Sequence, residues 1–206
     1  IASQEIFSSI HPNQSDIFSQ PCLSVLFDLE QMLKKMTGMS AFTLQPSAGS
    51  QGEFVGLLLM RKYHEMKNNN KNIILIPESA HGTNPASVIL AGYKPVELGT
   101  DNRGRVDLED LKSKINNDVA GMMLTQPNTL GLFEDQILTI SKLIHDVDGL
   151  MYMDGANLNA LIGLVKPADM GFDITHINLH KTFSTPHGGG GPGSGPIGVI
   201  SKLKDM

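Results

Sequence analysis

The sequence predicts an α/β fold built on a mostly parallel β-sheet flanked by helices. Short apolar runs alternate with longer segments of helical periodicity from about residue 41 onward, and this alternation implies strand–helix–strand crossovers. A length of 206 residues suits one domain with a substantial core. We therefore assign residues 41–206 to one large α/β domain, and residues 1–40 to an N-terminal segment and helix that lead into it.

The N-terminal helix is predicted over roughly Pro21–Met36. Apolar residues recur there at helical spacing, at Leu23, Leu26, Phe27, Met32 and Leu33. Gly38 follows as the predicted stop, because glycine readily adopts the left-handed conformation that ends many helices.

Seven apolar runs are predicted strands: Phe42–Leu44, Ile73–Ile76, Pro95–Leu98, Gly121–Thr125, Leu150–Met153, Ile174–Asn178 and Ile197–Ile200. Helices are predicted between them, near Ser50–Met66, Pro85–Ala91, Leu108–Ile115 and Gln136–Val147. In such sheets ligands bind beyond the carboxyl ends of the strands. Polar residues that directly follow strands are therefore the candidates for function.

Composition and charge exclude several classes of function. The net charge is -5, and the basic residues are not concentrated as a nucleic-acid surface requires. The longest apolar runs, such as Leu57–Met60, are far too short to span a bilayer. One cysteine, Cys22, excludes an internal disulfide and a cysteine-based zinc cluster, and it fits a reducing compartment. The sequence predicts a soluble domain that binds neither nucleic acid nor membrane.

Lys181 is the first candidate catalytic residue. It follows the predicted strand Ile174–Asn178, so its ammonium would project into the crevice at the end of the sheet. A desolvated lysine there has a lowered pKa and forms Schiff bases with aldehydes. A lysine at a strand end is by itself more often a surface residue, so the assignment depends on its neighbours.

Asp154 follows another predicted strand, Leu150–Met153. A carboxylate at this position can keep a pyridinium nitrogen protonated, which makes the ring an electron sink. Taken alone, capping of a short helical segment after Gly155 is the more common role of such an aspartate. Lys181 lies one crossover unit further on, so the two side chains could meet across neighbouring strands.

The segment Ser47–Glu53 lies between an apolar strand and a strongly apolar helix. Its small residues let backbone N–H groups approach an anion, and the helix N-terminus adds positive potential. Gly49, Ser50 and Gln51 are the predicted phosphate-binding residues, although the segment matches neither the P-loop nor the dinucleotide-binding pattern. A capping box with Ser50 as the cap and Glu53 at the third helical position is a compatible alternative.

Two further polar residues follow predicted strands. His81 could lie flat against a heteroaromatic ring, and Asn128 could donate a hydrogen bond to a phenolate oxygen. Each alone is more often a turn residue. The five polar elements together supply an amine, an acid, a phosphate cradle and a planar stacking group, which is the set of groups that pyridoxal 5′-phosphate requires.

Four blocks of the sequence resemble the glycine decarboxylases, the P-proteins of the glycine cleavage system. One block is Asn178–Phe183 with the glycine-rich segment Pro186–Val199 that follows it. The other three are Gln45–Glu53, Ser79–Ser87 and Tyr152–Asn157. The four-glycine stretch is the most specific, and the resemblance is to the cofactor-binding large domain of the bacterial subunit 2.

The resemblance implies a type I pyridoxal-phosphate fold, with a mixed seven-stranded sheet whose last strand is antiparallel. It implies Lys181 as the Schiff-base lysine, Asp154 as the partner of the pyridine nitrogen and His81 as the stacking residue. The implied reaction is glycine decarboxylation with transfer of the aminomethyl group to the lipoyl arm of H-protein. His180 is a candidate catalytic proton handler, with structural hydrogen bonding as an equal alternative.

The resemblance also implies pyridoxal 5′-phosphate as cofactor, and glycine, lipoylated H-protein and a second P-protein subunit as partners in an oligomer. The implied location is the cytoplasm in a bacterium or the mitochondrion in a eukaryote. Because family members are several hundred residues long, we expect this chain to be a fragment without the C-terminal small domain.

Three alternatives stay open. Another type I enzyme acting on a small amino acid, such as a hydroxymethyltransferase, shares the His-Lys-Thr step at residues 180–182. A metal-dependent hydrolase would use Asp154, His176, His180 and His187, but two histidines four apart on a strand lie too far apart for one ion, and no metal is predicted. A catalytically inactive scaffold is disfavoured because Lys181 and Asp154 are both present.

Overall fold

The computed structural model describes residues 3–11 and 13–206. Its strands are β1 (Ala41–Thr43), β2 (Ile73–Pro77), β3 (Lys94–Leu98), β4 (Val119–Thr125), β5 (Leu150–Gly155), β6 (Ile174–Ile177) and β7 (Ile197–Val199). They form a seven-stranded sheet in the order β1-β7-β6-β5-β4-β2-β3. The strand β7 is antiparallel to both of its neighbours, β6 and β1, and the other neighbouring strands pair in parallel. The mixed sheet with an antiparallel last strand is therefore confirmed.

Helices cover both faces of the sheet. The described helices are α1 (Glu5–Ser8), α2 (Asp16–Thr37), α3 (Gly49–Met66), α4 (Thr83–Leu90), α5 (Leu108–Lys114), α6 (Ile137–Asp146) and α7 (Leu179–Thr182), with short 3₁₀ turns at Pro167–Met170 and Ser201–Leu203. Apolar residues of α3 and α4 pack on one face, and those of α2, α5 and α6 pack on the other.

The central strands β4 and β5 are almost completely buried. Met122 and Met151 contribute to the core beneath α5 and α6, whereas Met123 and Tyr152 contribute to the core beneath α3. Because both faces are covered, these strands are nearly continuous apolar runs. This explains why they are recognisable from the sequence.

The predicted strand positions agree closely with the observed ones, and the differences lie at the ends. β1 begins and ends one residue before the predicted Phe42–Leu44, and β6 ends at Ile177. The four-residue helix α7 was not predicted. It carries His180 and Lys181, which follow the predicted strand Ile174–Asn178.

Helix α2 begins at Asp16, well before the predicted Pro21. It ends as predicted, because Gly38 has a φ of 75° and its N–H donates to the Lys34 carbonyl. The apolar face is only partly packed on the sheet, since Leu33 is fully buried whereas Phe27 is 60% exposed. Helical spacing indicated the helix correctly, but most of that face extends beyond the sheet.

Across the described residues, 3–11 and 13–206, the helices are each too short or too polar to cross a membrane.

Two glycines allow α3 to lie close to β5 and β6. Gly52 and Gly56 are on the same face of the helix, because residues four apart share a face. A methyl group at Gly56 would overlap the ring of Tyr152. One at Gly52 would lie 2.9 Å from the Gly195 carbonyl oxygen and 3.0 Å from the Cβ of His176. A side chain at either position would force α3 away from these strands.

We expect the substitution Gly56→Ala to destabilise the protein. In an open helix, alanine is about 1 kcal/mol more favourable than glycine, but overpacking against Tyr152 costs about 1–3 kcal/mol. Chemical denaturation measures the free energy of unfolding. The control is Gly82→Ala, at a residue with a φ of -59° and no atom within 4 Å of the added Cβ. Equal stability of the Gly56→Ala variant and the parent would show that α3 is free to shift.

Candidate active site

A cavity of about 700 Å³ opens where β4, β5 and β6 end and α3 begins. Its volume is in the range of small-molecule sites. All but one of the predicted site residues line it, namely Lys181, His180, Asp154, His81, Asn128, Gly49 and Ser50. Residues far apart in the sequence are thus brought together, as expected for the carboxyl edge of a parallel sheet.

Gln51 is the exception. Its side-chain Oε1 accepts hydrogen bonds from the backbone N–H and the hydroxyl of Ser47, at 2.8 and 3.0 Å. The side chain lies over a separate groove beside Phe54. Only the backbone N–H of Gln51, in the first turn of α3, remains available as the predicted contact.

The N-terminus of α3 faces the cavity. The first helical hydrogen bond runs from the Gly52 N–H to the Ala48 carbonyl at 3.1 Å. The N–H groups of residues 49–51 precede that bond and have no partner within the helix. Together with the helix dipole, these N–H groups are suited to binding an anion.

The capping box predicted for Ser50 and Glu53 is wrong. Ala48 is the N-cap residue, with no capping side chain, and Ser50 lies within the helix. The Glu53 carboxylate is buried and accepts hydrogen bonds from the hydroxyls of Thr83 (2.7 Å) and Ser87 (2.8 Å) on α4. Glu53 therefore links α3 to α4 and does not cap the N-terminus of its own helix.

Asn178 is a cavity residue that the sequence reasoning missed. It is 5% exposed, and its carboxamide lies over Gly49, where an added Cβ would be 2.7 Å from Oδ1. Among the described residues, neither Asn178 Oδ1 nor Thr125 Oγ1 has a hydrogen-bond partner. Buried polar atoms are costly when unpaired, so both suit the polar groups of a ligand. The rule that identified Asp154, a polar residue after an apolar strand, could have identified Asn178.

Asp154 is buried at the end of β5, with 5% exposure. Its Oδ2 accepts from Asn84 Nδ2 at 3.0 Å, and its Oδ1 accepts from the backbone N–H of Ala156 at 3.1 Å. His176 Nε2 lies 3.3 Å from the same Oδ1. The residues after Gly155 form turns rather than a helix, so the helix-capping interpretation is wrong.

His176 lies beside Asp154 on the neighbouring strand β6. Its Nδ1 is 2.6 Å from the hydroxyl of Tyr152. Burial lowers the pKa of His176, although Asp154 and Glu53 act in the opposite direction. Burial also raises the pKa of Tyr152 well above its usual value.

Glu53, Asp154 and His176 have potential metal-ligand atoms within 4.8 Å of one another. Both oxygens of Glu53 accept hydroxyl hydrogen bonds, and His176 Nδ1 is 2.6 Å from the hydroxyl of Tyr152. Each of the three residues thus has a hydrogen-bond partner of its own. His180 and His187, which the hydrolase hypothesis also uses, are not part of this group.

Lys181 lies in α7 at the cavity. Its backbone is held by its N–H, which donates to the Asn178 carbonyl at 3.0 Å, and by Asn159 Nδ2, which donates to its carbonyl at 3.3 Å. The side chain is exposed, so the predicted desolvation of the ammonium is wrong for this structure. The ammonium makes no ion pair with the part of the chain that the structure describes, which leaves the amine available to a ligand.

His180 and His187 stack edge to face, with ring centroids 4.2 Å apart. The backbone N–H of Ser194 donates to His180 Nδ1 at 3.3 Å, so the proton of the neutral ring is on Nε2. Burial lowers the pKa of His180, and the nearby His187 and Lys181 lower it further. At neutral pH the imidazole of His180 at the cavity is therefore uncharged.

His81 is exposed at the cavity, on the turn that leads into α4. Its Nδ1 lies 2.8 Å from the hydroxyl and 3.2 Å from the backbone nitrogen of Thr83. These contacts hold the His81 imidazole along one edge, so that a face of the ring remains open to the cavity.

Asn128 shapes the loop after β4. Its Oδ1 accepts from the backbone N–H groups of Leu130 and Leu132, both at 3.0 Å. Its Nδ2 donates to the Gly104 carbonyl at 2.9 Å. One N–H of the amide remains for a ligand, so the phenolate contact stays a prediction.

Comparison with known proteins identifies the family. The profile of the glycine cleavage system P-protein matches residues 1–206. The chain belongs to the glycine cleavage system P-protein family. A relative from Pelodictyon phaeoclathratiforme is 56% identical over 197 residues, covering 96% of this chain and 41% of the relative. One from Thermococcus kodakarensis is 54% identical over 206 residues, covering 100% of this chain and 41% of the relative.

Both relatives are named probable glycine dehydrogenase (decarboxylating) subunit 2. This P-protein family chain thus spans 41% of the length of each of them.

Solved structures support the fold assignment. The chain is similar to an inhibitor-bound glycine decarboxylase (P-protein) of the glycine cleavage system, with a TM-score of 0.76, 21% identity, and coverage of 98% of this chain and 44% of that one. An aromatic aminotransferase from Pyrococcus horikoshii gives a TM-score of 0.69 at 20% identity, covering 89% of this chain and 50% of that one. These likenesses confirm the type I pyridoxal-phosphate fold.

We expect the substitution His187→Ala to raise the pKa of His180 towards the usual histidine value. The change removes a neighbouring imidazole that disfavours a charge on His180, and it opens the site to water. NMR titration of the imidazole protons measures the pKa directly. The matched control is His145→Ala, at a histidine on α6 that pairs with Asp173, which should leave His180 unchanged. A pKa of His180 that is the same with and without His187 would contradict the coupling.

Proposed function

We propose that this chain binds pyridoxal 5′-phosphate and that the complete protein decarboxylates glycine, transferring the aminomethyl group to the lipoyl arm of H-protein. One observation carries the proposal: a free amine (Lys181), a buried carboxylate (Asp154) and a helix N-terminus line a single cavity. Membership of the P-protein family and the names of its relatives support the same reaction.

The cavity fits the cofactor chemically. The free N–H groups at the start of α3 suit a phosphate, and the absence of a side chain at Gly49 lets the Asn178 carboxamide lie against the first turn of this helix. Asn178 Oδ1 and Thr125 Oγ1 are buried polar atoms without a partner among the described residues. A phosphorylated ring would supply the polar groups and the volume that this arrangement needs.

Four residues of the chain have different roles in the proposed reaction. Pyridoxal phosphate, when bound, supplies an electron sink for a carbanion. Lys181 provides the amine that holds the cofactor's aldehyde, and Asp154 holds a proton on the ring nitrogen. His81 covers one face of the ring, and neutral His180 donates or accepts a proton near Lys181.

The overall reaction breaks the carbon–carbon bond of glycine and the disulfide bond of the lipoyl arm, and it forms one carbon–sulfur bond and one S–H bond. Glycine loses its carboxylate as CO₂, the remaining aminomethyl carbon bonds to one lipoyl sulfur, and the other sulfur takes up a proton as a thiol. Gly188, Gly189 and Gly190 have positive φ values of 58°, 71° and 108°. A loop with so few side chains lets a protein-borne lipoyl arm approach Lys181 closely.

A partner subunit is part of the proposal. The curated relatives are named subunit 2, and α2 exposes an apolar face that includes Ile17 (71%), Phe18 (68%) and Val25 (65%). A contiguous apolar surface of this kind is typical of protein–protein contacts. We infer an assembly in which another subunit covers part of this chain.

Lys181 should be the lysine that carries the cofactor. Its amine is free at the cavity, so borohydride reduction after addition of pyridoxal phosphate should fix a pyridoxyl group there, located by peptide mapping. The variant Lys181→Arg keeps the positive charge and should not be labelled. Labelling of another lysine, with Lys181 unmodified in folded protein, would disprove the assignment.

The substitution Asp154→Asn should preserve the fold and remove most turnover. An amide cannot hold the ring nitrogen protonated, and loss of a charge-assisted hydrogen bond costs roughly 1.5–3 kcal/mol. Exchange of labelled bicarbonate into glycine, with H-protein and the complete assembly, measures the activity. The control Asp146→Asn changes an exposed residue at the end of α6 and should be as active as the parent. Near-normal exchange by Asp154→Asn would contradict its role.

A further inference from the structure

Two buried residues beside Asp154, Tyr152 and His176, have no part in the functions described above. We propose that they are positioning residues, which hold the Asp154 carboxylate against the cofactor's ring nitrogen through the Tyr152–His176 hydrogen bond and the polar contact between His176 and the carboxylate. The proposal rests on the proposed role of Asp154. It concerns the two residues that set the position and charge distribution of that carboxylate.

The strand register brings the three residues together. Asp154 on β5 pairs with His176 on β6, and Tyr152 lies two residues before Asp154 on the same face of β5. The Tyr152 oxygen is 2.6 Å from His176 Nδ1, and His176 Nε2 is 3.3 Å from Asp154 Oδ1. Tyr152 is 0% exposed and His176 is 1% exposed, so water does not compete for these contacts.

The direction of the hydrogen bonds follows from the chemistry of the three groups. The raised pKa of Tyr152 keeps its hydroxyl protonated, and the lowered pKa of His176 keeps its ring neutral with one N–H. A carboxylate only accepts, so the N–H of His176 must be on Nε2, facing Asp154. The hydroxyl of Tyr152 then donates to Nδ1 and fixes this tautomer.

Other groups around the carboxylate do not replace this contact. Asn84 donates to the other oxygen, Oδ2, and the Ala156 N–H shares Oδ1 with His176 but comes from the backbone after the strand. Glu53 lies near His176, but its two oxygens accept from Thr83 and Ser87. The neutral His176 therefore presents its Nε2 to Asp154 Oδ1 at 3.3 Å without adding a charge, among buried groups where polar contacts are strengthened.

Helix α3 packs over Tyr152 and His176, and it has glycines where it contacts them. Gly56 lies against the ring of Tyr152, and Gly52 lies against His176. A side chain at either position would collide with the residue that it covers. The face of α3 towards β5 and β6 is thus built around Tyr152 and His176, which ties their position to the rest of the core.

The test is ¹⁵N NMR of ring-labelled pyridoxal phosphate bound to the protein in its natural assembly, with the cofactor dissociation constant from titration. The ring-nitrogen resonance reports protonation directly, which a merely structural role would not change. Tyr152→Phe removes the hydroxyl donor. His176→Asn keeps an acceptor near Nδ1 but loses the donor to Asp154, whereas His176→Gln keeps a donor near Nε2. The matched control is Tyr63→Phe, which removes a hydroxyl that bonds Asp148 at 2.9 Å, far from the cavity.

We expect Tyr152→Phe and His176→Asn to move the resonance towards the unprotonated ring and to weaken cofactor binding by about tenfold, as for the loss of one hydrogen bond. His176→Gln and Tyr63→Phe should resemble the parent. If Tyr152→Phe does not fold, the two His176 variants decide the question, since they differ in which ring nitrogen is replaced. Equal resonances in the parent and in His176→Asn would overturn the proposal. A parent that binds no cofactor at all would instead overturn the proposed function.

Discussion

The close approach of α3 to β5 and β6 is the constraint on which the candidate site depends. Gly52 and Gly56 permit this approach, because a Cβ at either position would collide with a neighbour. With α3 seated there, its first turn faces the cavity and its Glu53 reaches the hydroxyls of α4. One helix–sheet contact therefore positions the free N–H groups at the start of α3, the turn that carries His81 and the buried surroundings of Asp154.

The large elements of the fold were predictable because burial constrains them on two sides. β4 and β5 are covered on both faces and are nearly continuous apolar runs, which a sequence displays directly. Helix α7 was not predictable in the same way, since four residues are too few to show a helical period. The start of α2 was missed because a proline at residue 21 lies inside the helix, where proline usually marks a boundary.

The candidate site was predictable as far as its polar residues directly follow strands. Asp154 directly follows the predicted strand Leu150–Met153, although β5 continues to Gly155. Asn178 directly follows β6, but the sequence pattern includes it in the predicted strand. Contacts such as Glu53 with Thr83 join distant segments, and the local sequence contains no signal for them. Gln51 was predicted at the site but does not line the cavity, for a simpler reason. Successive residues of a helix point in directions about 100° apart, so neighbours of a cavity residue need not share the cavity.

The pairing of β1 with β7 has a consequence for synthesis on the ribosome. β1 emerges early, yet its described strand partner is β7, near the other end of the chain. During translation the backbone hydrogen-bonding groups of β1 therefore lack their β7 partners until residues 197–199 have left the exit tunnel. Contacts of such long sequence separation form slowly and leave exposed strands open to misassembly. Nascent chains of this domain should therefore rely on chaperones until β7 has been made.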